Sequence, residues 1–122
     1  MSRYIILILF FSLTSFSCKQ PAIIESNEAV GLLENDDYYF LDVRTLKEHN
    51  TKSIPNTVCI PVQKIEQRME EIAQYKDKKI IVYCRSGNRS EMATKILNQN
   101  GFDAYNMLGG MNEWKGEVNQ KR

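Results

Sequence analysis

Residues 22–116 fall into blocks of two kinds: short unbroken apolar runs, and longer stretches whose apolar residues sit three or four apart. The short runs predict buried strands at Ala22-Ile23-Ile24, Tyr38 to Val43, Val58-Cys59-Ile60 (closed by Pro61), Ile80-Ile81-Val82-Tyr83 and Ala104 to Met107. The second kind predicts amphipathic helices. One carries Ala29, Val30, Leu32 and Leu33 behind a cap at Ser26 or Asn27. Another places Val62, Ile65, Met69 and Ile72 on one face, with Lys64, Glu66, Gln67 and Glu70 around them. A third carries Met92, Ala93, Ile96 and Leu97 and stops at Asn100-Gly101. Thr45-Leu46-Lys47-Glu48 has the capping-box pattern of a further helix start. Asn35-Asp36-Asp37 and Lys76 to Lys79 read as turns, and Leu108-Gly109-Gly110 turns into a short helix with Trp114 as a core anchor. The polar stretch 117–122 is expected to fray. Strands separated by helices pair in parallel through right-handed crossovers, so the fold class is α/β, a doubly wound domain.

At 122 residues the chain holds one domain with a substantial core. The formal charge of +1 gives no reason to expect nucleic acid or an acidic membrane surface as a partner. Residues 1–17 differ from the rest. Arg3 precedes the apolar run Tyr4 to Phe11, and small residues follow up to Ser17, the layout of a secretory signal peptide. The run is shorter than the ~20 residues of a membrane-spanning helix. Cys18, just beyond it, resembles the lipidated cysteine of bacterial lipoproteins. Ser15 and Phe16 depart from that pattern, and Ser15-Phe16-Ser17 also fits a small-x-small cleavage site. The expectation is an exported domain of the periplasm or cell envelope, with membrane attachment through lipidated Cys18 and residues 18–21 as a tether. An uncleaved signal-anchor is the alternative.

The stretch with the most chemistry is Cys84-Arg85-Ser86-Gly87-Asn88-Arg89-Ser90, between the strand ending at Tyr83 and the helix carrying Met92. Open α/β sheets bind ligands at such strand-to-helix turns. A thiol there meets the unpaired N–H groups of a helix start and two guanidinium charges, all of which favour thiolate. The pattern predicts a cysteine nucleophile that handles an anion.

Three motifs resemble those of single-domain rhodanese-like sulfurtransferases. They are Leu41-Asp42-Val43-Arg44 with Glu48 and then Ile54-Pro55 to Ile60-Pro61; Tyr83 to Ser90; and Leu108-Gly109-Gly110-Met111-Asn112-Glu113-Trp114. Together they span residues 22–116. The first departs from the family: Lys52-Ser53 replaces Gly-His before the Ile-Pro, Asn56-Thr57 replaces Gly-Ala after it, and His49 stands where an aromatic residue is common. The resemblance implies a three-layer domain with a central parallel sheet of about five strands and helices on both faces. It also implies sulfur transfer from an anionic donor such as thiosulfate, through a Cys84 persulfide, to a thiol or cyanide acceptor. Arg85 and Arg89 would bind the donor with charge-assisted hydrogen bonds, Gly87 would allow a tight curl, and Ser86, Asn88 and Ser90 would brace the loop. The backbone N–H groups would form an anion nest. No metal or organic cofactor is required, and a monomer is expected.

Alternative roles stand beside these. Arg89 could pin the loop, and Arg85 could be a solvated charge. Asp42 and Arg44 are expected to hold neighbouring loops by ion pairing, Arg44 with Glu48. Cys59 reads as a small core residue, or as a resolving cysteine that forms a disulfide with Cys84. His49, the one histidine, could pair with a cysteine. At the level of the whole domain, a phosphatase or arsenate reductase of the same fold would need seven positions from cysteine to arginine, whereas Cys84 to Arg89 is six. A binding module and a Cys84/Cys59 redox protein are the remaining readings.

Overall fold

In the computed structural model, residues 22–121 are described; the signal-peptide reading of 1–17 and the tether with Cys18 lie outside them. A five-stranded parallel sheet runs in the order β1-β6-β5-β2-β4, formed by β1 (Ile23–Glu25), β2 (Tyr38–Asp42), β4 (Val58–Cys59), β5 (Lys79–Tyr83) and β6 (Asp103–Leu108). The helices are α1 (Ser26–Val30), α2 (Leu46–Thr51), α3 (Ile65–Arg68), α4 (Asn88–Gln99) and α5 (Gly110–Glu113). Two short strands, β3 (Lys52–Ser53) and β7 (Asn119–Gln120), pair antiparallel as a separate ribbon.

The central strands are apolar without interruption because both faces are covered. Along β5, Ile80 and Val82 enter one core with Ile65, Ile72, Ala93 and Leu97. Ile81 and Tyr83 enter the other with Ala29, Phe40, Met107 and Trp114. This is the three-layer arrangement expected from the three motifs.

Three local expectations are corrected. The helix expected over Val62–Ile72 is a 3-10 turn (Val62–Lys64), α3 and a second 3-10 stretch (Met69–Tyr75). Val62 and Ile65, and Met69 and Ile72, are each three apart, the eclipsed spacing of the 3-10 form. Ser26 does not cap α1; Glu25 holds that position without a side-chain bond, and the Ser26 hydroxyl donates to the Gly110 carbonyl at 3.4 Å. The polar tail does not fray at Glu117: the Trp114 indole N–H donates to the Glu117 carbonyl at 2.9 Å, Val118 packs on the second core, and β7 follows.

Candidate active site

Residues alternate faces along β5, so the position after Tyr83 falls on the α4 side of the sheet, and Cys84 belongs to that core. Gly87 then turns the chain at φ +110°, a left-handed conformation that resists any residue with a Cβ. In that conformation its N–H points to the Cys84 Sγ at 3.1 Å, while its carbonyl accepts the Glu91 N–H at 3.1 Å to start α4. The loop is clamped from outside by α5. The Met111 N–H donates to the Cys84 carbonyl at 2.9 Å and the Asn112 N–H to the Arg85 carbonyl at 3.0 Å. These bonds draw the loop's carbonyls away from the sulfur. Gly110 has φ +52° at this crossing, where an added Cβ would collide with both carbonyls.

Cys84 is 1% exposed. Burial pushes its thiol upward, but the hydrogen bonds open to its thiolate, from the Ser90 hydroxyl once that hydrogen turns to the sulfur and from the backbone N–H groups of Ser90, Gly87 and Ser86, outweigh it and hold the pKa below the usual thiol value. The Ser90 Oγ lies 3.3 Å from Sγ and donates to the Asn106 Oδ1 at 2.6 Å. The Asn106 Nδ2 in turn donates to the Gly87 carbonyl at 3.2 Å.

The structure separates the six residues expected to bind substrate. Gly87 and Ser90 are buried against the sulfur, whereas Arg85, Ser86 and Asn88 are exposed. Arg89 is engaged by a protein carboxylate: its two terminal nitrogens donate to the two Glu48 oxygens at 2.8 and 2.9 Å. This bidentate grip is the first cause holding Glu48 down to about 2. The same carboxylate closes the capping box, accepting from the Thr45 N–H at 2.9 Å while the Glu48 N–H donates to Thr45 Oγ1 at 3.2 Å.

Arg44 does not pair with Glu48. Its guanidinium forks onto the fully buried Asp42, at 2.7 Å for the closest pair, and also donates to the Lys52 carbonyl at 2.7 Å. The His49 Nδ1 lies 2.9 Å from Asp42 Oδ2, the oxygen that Arg44 also holds, so its partner is a carboxylate rather than a cysteine. Cys59 is half-buried, and its thiol donates to the Arg44 carbonyl at 3.4 Å. Burial, and then the Asp42 charge, push that thiol up to about 11. The registers Asp42 with Cys59 and Asp42 with Tyr83 set Cys59 two strands from the Cys84 end of β5. Two spacings make roughly 10 Å. A disulfide needs Cα atoms about 4.4–6.8 Å apart, so Cys59 is out of direct reach of Cys84 in this fold.

Among the described residues, one set of side chains lies close enough to hold a metal: ligand atoms of Asp42, His49 and Cys59 fall within 4.8 Å of one another. The Arg44 guanidinium already occupies both Asp42 oxygens, and the Cys59 thiol is held protonated. Those features make it an ion-pair cluster that ties α2 to β2.

Two residues that shape the site escaped the sequence reading. Asn106 is a lone amide in the otherwise apolar and aromatic run Ala104–Met107, and it is 2% exposed. An amide inside a buried strand must find partners, and that signal could have marked it. Tyr83 anchors the loop after β3. Its hydroxyl accepts the Ile54 N–H at 3.3 Å and lies 2.9 Å from Thr57 Oγ1.

The comparisons with known proteins agree with this geometry. The rhodanese-like domain family model matches residues 25–117. The Bacillus subtilis (strain 168) protein YtwF is 38% identical over 87 residues, covering 71% of this chain and 82% of that protein. A sulfurtransferase of Allochromatium vinosum is 37% identical over 84 residues, covering 68% of this chain and 77% of that one. Other relatives are longer, and the match spans 46% of one and 28% of another. The crystal structure of a rhodanese-like domain protein from Staphylococcus aureus superposes with a TM-score of 0.73 at 31% identity, covering 83% of this chain and 99% of that one. With its parallel sheet, its three motifs and its cysteine loop, the chain belongs to the rhodanese-like family of sulfurtransferase domains.

Proposed function

We propose that this chain transfers sulfane sulfur from an anionic donor such as thiosulfate to a thiol or cyanide acceptor by way of a persulfide on Cys84. The observation that carries the reading is an almost wholly buried thiol that receives the Gly87 N–H at 3.1 Å at the start of α4, with the N–H groups of Ser86 and Ser90 also favouring its thiolate. Such a nest can also hold the terminal sulfur of a persulfide, which bears charge. The thiolate attacks the outer sulfur of thiosulfate. A Cys84–sulfur bond forms, the donor's S–S bond breaks, and its electron pair leaves with sulfite. An acceptor thiolate or cyanide then attacks the terminal sulfur, and Cys84 leaves as thiolate. This is a two-step displacement through a covalent intermediate, with no net change at the enzyme.

Arg85 is the exposed cation of the loop that suits an incoming anion, because Arg89 is committed to Glu48. The test is a panel of donors (thiosulfate, a small persulfide, a generic phosphate ester) with intact-mass detection. Thiosulfate should add one sulfur atom to the wild-type chain and none to Cys84→Ser. A sulfur adduct that survives the substitution, or phosphate-ester turnover exceeding sulfur transfer, overturns the reading.

A further inference from the structure

Asn106 makes no hydrogen bond to the sulfur, yet its side chain holds the two residues, Ser90 and Gly87, that do. Its orientation is forced. The Gly87 carbonyl can only accept, so the Asn106 Nδ2 must face it, at 3.2 Å. Oδ1 then faces Ser90, and being a carbonyl oxygen it also only accepts, at 2.6 Å. The Ser90 hydroxyl has one hydrogen, and this contact takes it. Toward Sγ, 3.3 Å away, Ser90 is then left with lone pairs alone, an arrangement that suits a neutral S–H and opposes a thiolate.

We propose that Asn106 is a positioning residue that sets which way the Ser90 hydroxyl points, and through it the balance between thiol and thiolate at Cys84. This rests on the reading of Cys84 as the reacting thiol. When the proton leaves, the Ser90 hydrogen swings to the sulfur and strips a buried acceptor, Oδ1 of a residue 2% exposed, of its donor. The backbone N–H groups pull toward the thiolate, and Asn106 is the counterweight. Such a counterweight is useful because a thiol's nucleophilicity falls with its pKa. In the persulfide the inner sulfur carries no charge, and the hydrogen returns to Asn106. The charged and titratable groups on the elements around Cys84 include Arg85 on its loop, Arg89, Glu91 and Lys95 on α4, Lys47, Glu48 and His49 on α2, Asp42 at the end of β2 with Arg44 after it, and Glu113 on α5. Substitutions at 106 or 90 change none of them.

The experiment follows alkylation of Cys84 by iodoacetamide against pH in the full chain, with peptide mass spectrometry separating it from Cys18 and Cys59. It needs no sulfur donor, so its outcome is independent of the persulfide assay. In Asn106→Leu and in Asn106→Ala the freed Ser90 hydroxyl serves the thiolate. The alkylation midpoint should fall by about one pH unit, about tenfold more thiolate at lower pH. On top of Ser90→Ala the same substitutions should move nothing. A midpoint that stays or rises, or a fall that persists without the Ser90 hydroxyl, overturns the proposal, because a loosened loop acts regardless of Ser90. A second measurement uses the unaltered chain. The Asn106 side-chain amide NMR signals should titrate with the same midpoint as Cys84 alkylation, and signals that ignore it equally refute the relay.

Discussion

Asn56, Thr57 and Tyr83 show how single residues replace a family pattern without breaking its geometry. Asn56 adopts φ +58°, the left-handed conformation that Asn tolerates better than most residues with a side chain, where the resemblance leads one to expect glycine. Thr57 stands in place of alanine and uses its hydroxyl twice. It donates to the Ile54 carbonyl at 2.8 Å and meets the Tyr83 hydroxyl at 2.9 Å. Since the Thr57 hydrogen goes to Ile54, Tyr83 donates to Thr57 and accepts from the Ile54 N–H. Tyr83→Phe removes that acceptor and leaves a fully buried N–H unpaired. Urea unfolding should show a loss of about 1–3 kcal/mol, with Cys84 alkylation unaltered. A loss under about 0.5 kcal/mol would mean that water or a shifted loop replaces the bond. The sequence marked positions 56 and 57 as departures, because departures are local. It could not supply the partner of Thr57, which lies 26 residues away at the end of β5.

Helix α2 repeats that division between local and distant. The spacing of Thr45 and Glu48 makes a capping box legible from four residues, and both reciprocal bonds are present. Nothing within the helix shows that the Glu48 carboxylate also reaches Arg89, 41 residues away, so the nearer Arg44 was the natural candidate. Arg44 is instead drawn to Asp42, two residues back, where both are buried and an unpaired charge would be most costly. Glu48 thus couples the start of α2 to the first turn of α4, beside the cysteine loop. Its carboxyl is held near 2 in the fold against a usual value near 4.5, so the fold favours its ionised form. The stabilisation is complete above pH 4.5 and disappears as pH falls toward 2. Wild-type and Glu48→Gln chains should therefore differ in melting temperature at pH 7 and converge between about pH 4.5 and 2. With each partner about a third exposed, water weakens the pair and the difference at neutral pH is roughly 1 kcal/mol. Melting curves that stay parallel across that range would show that Glu48 acts through the capping box's shape alone.

The whole molecule is organised by a sheet buried on both sides. Continuous apolar runs made its strands readable, and the same continuity hid their facing, which burial alone resolves into two cores. The alternation places Cys84 over one core and Tyr83 over the other, so one strand end carries both the buried thiol and the anchor of the loop opposite. What stayed illegible is the ribbon of β3 and β7, since two-residue strands of Lys, Ser, Asn and Gln have no periodicity to detect. The ribbon joins the chain's end to its middle. Lys52 faces Gln120, Ser53 faces Asn119, and the Lys121 N–H donates at 3.2 Å to the carbonyl of Thr51, the last residue of the helix that carries Glu48. Much of its stabilisation comes from Val118, which packs on the second core and is tethered there by the strand after it. Ending the chain at Glu117 removes that side chain and the four ribbon positions' pairing together. The expected loss is roughly 1 kcal/mol, seen as a melting temperature lower by roughly 5 °C. The N–H groups around Cys84 come from its own loop and the first turn of α4, and α5 clamps that loop; the truncation removes none of these. Persulfide formation at a temperature where both chains are folded should therefore stay at the wild-type rate. If melting does not change, the ribbon is merely an ordered tail. If sulfur loading falls while the domain remains folded, the route from β3 through α2 and Glu48 to Arg89 reaches the loop more strongly than its exposed ion pair implies.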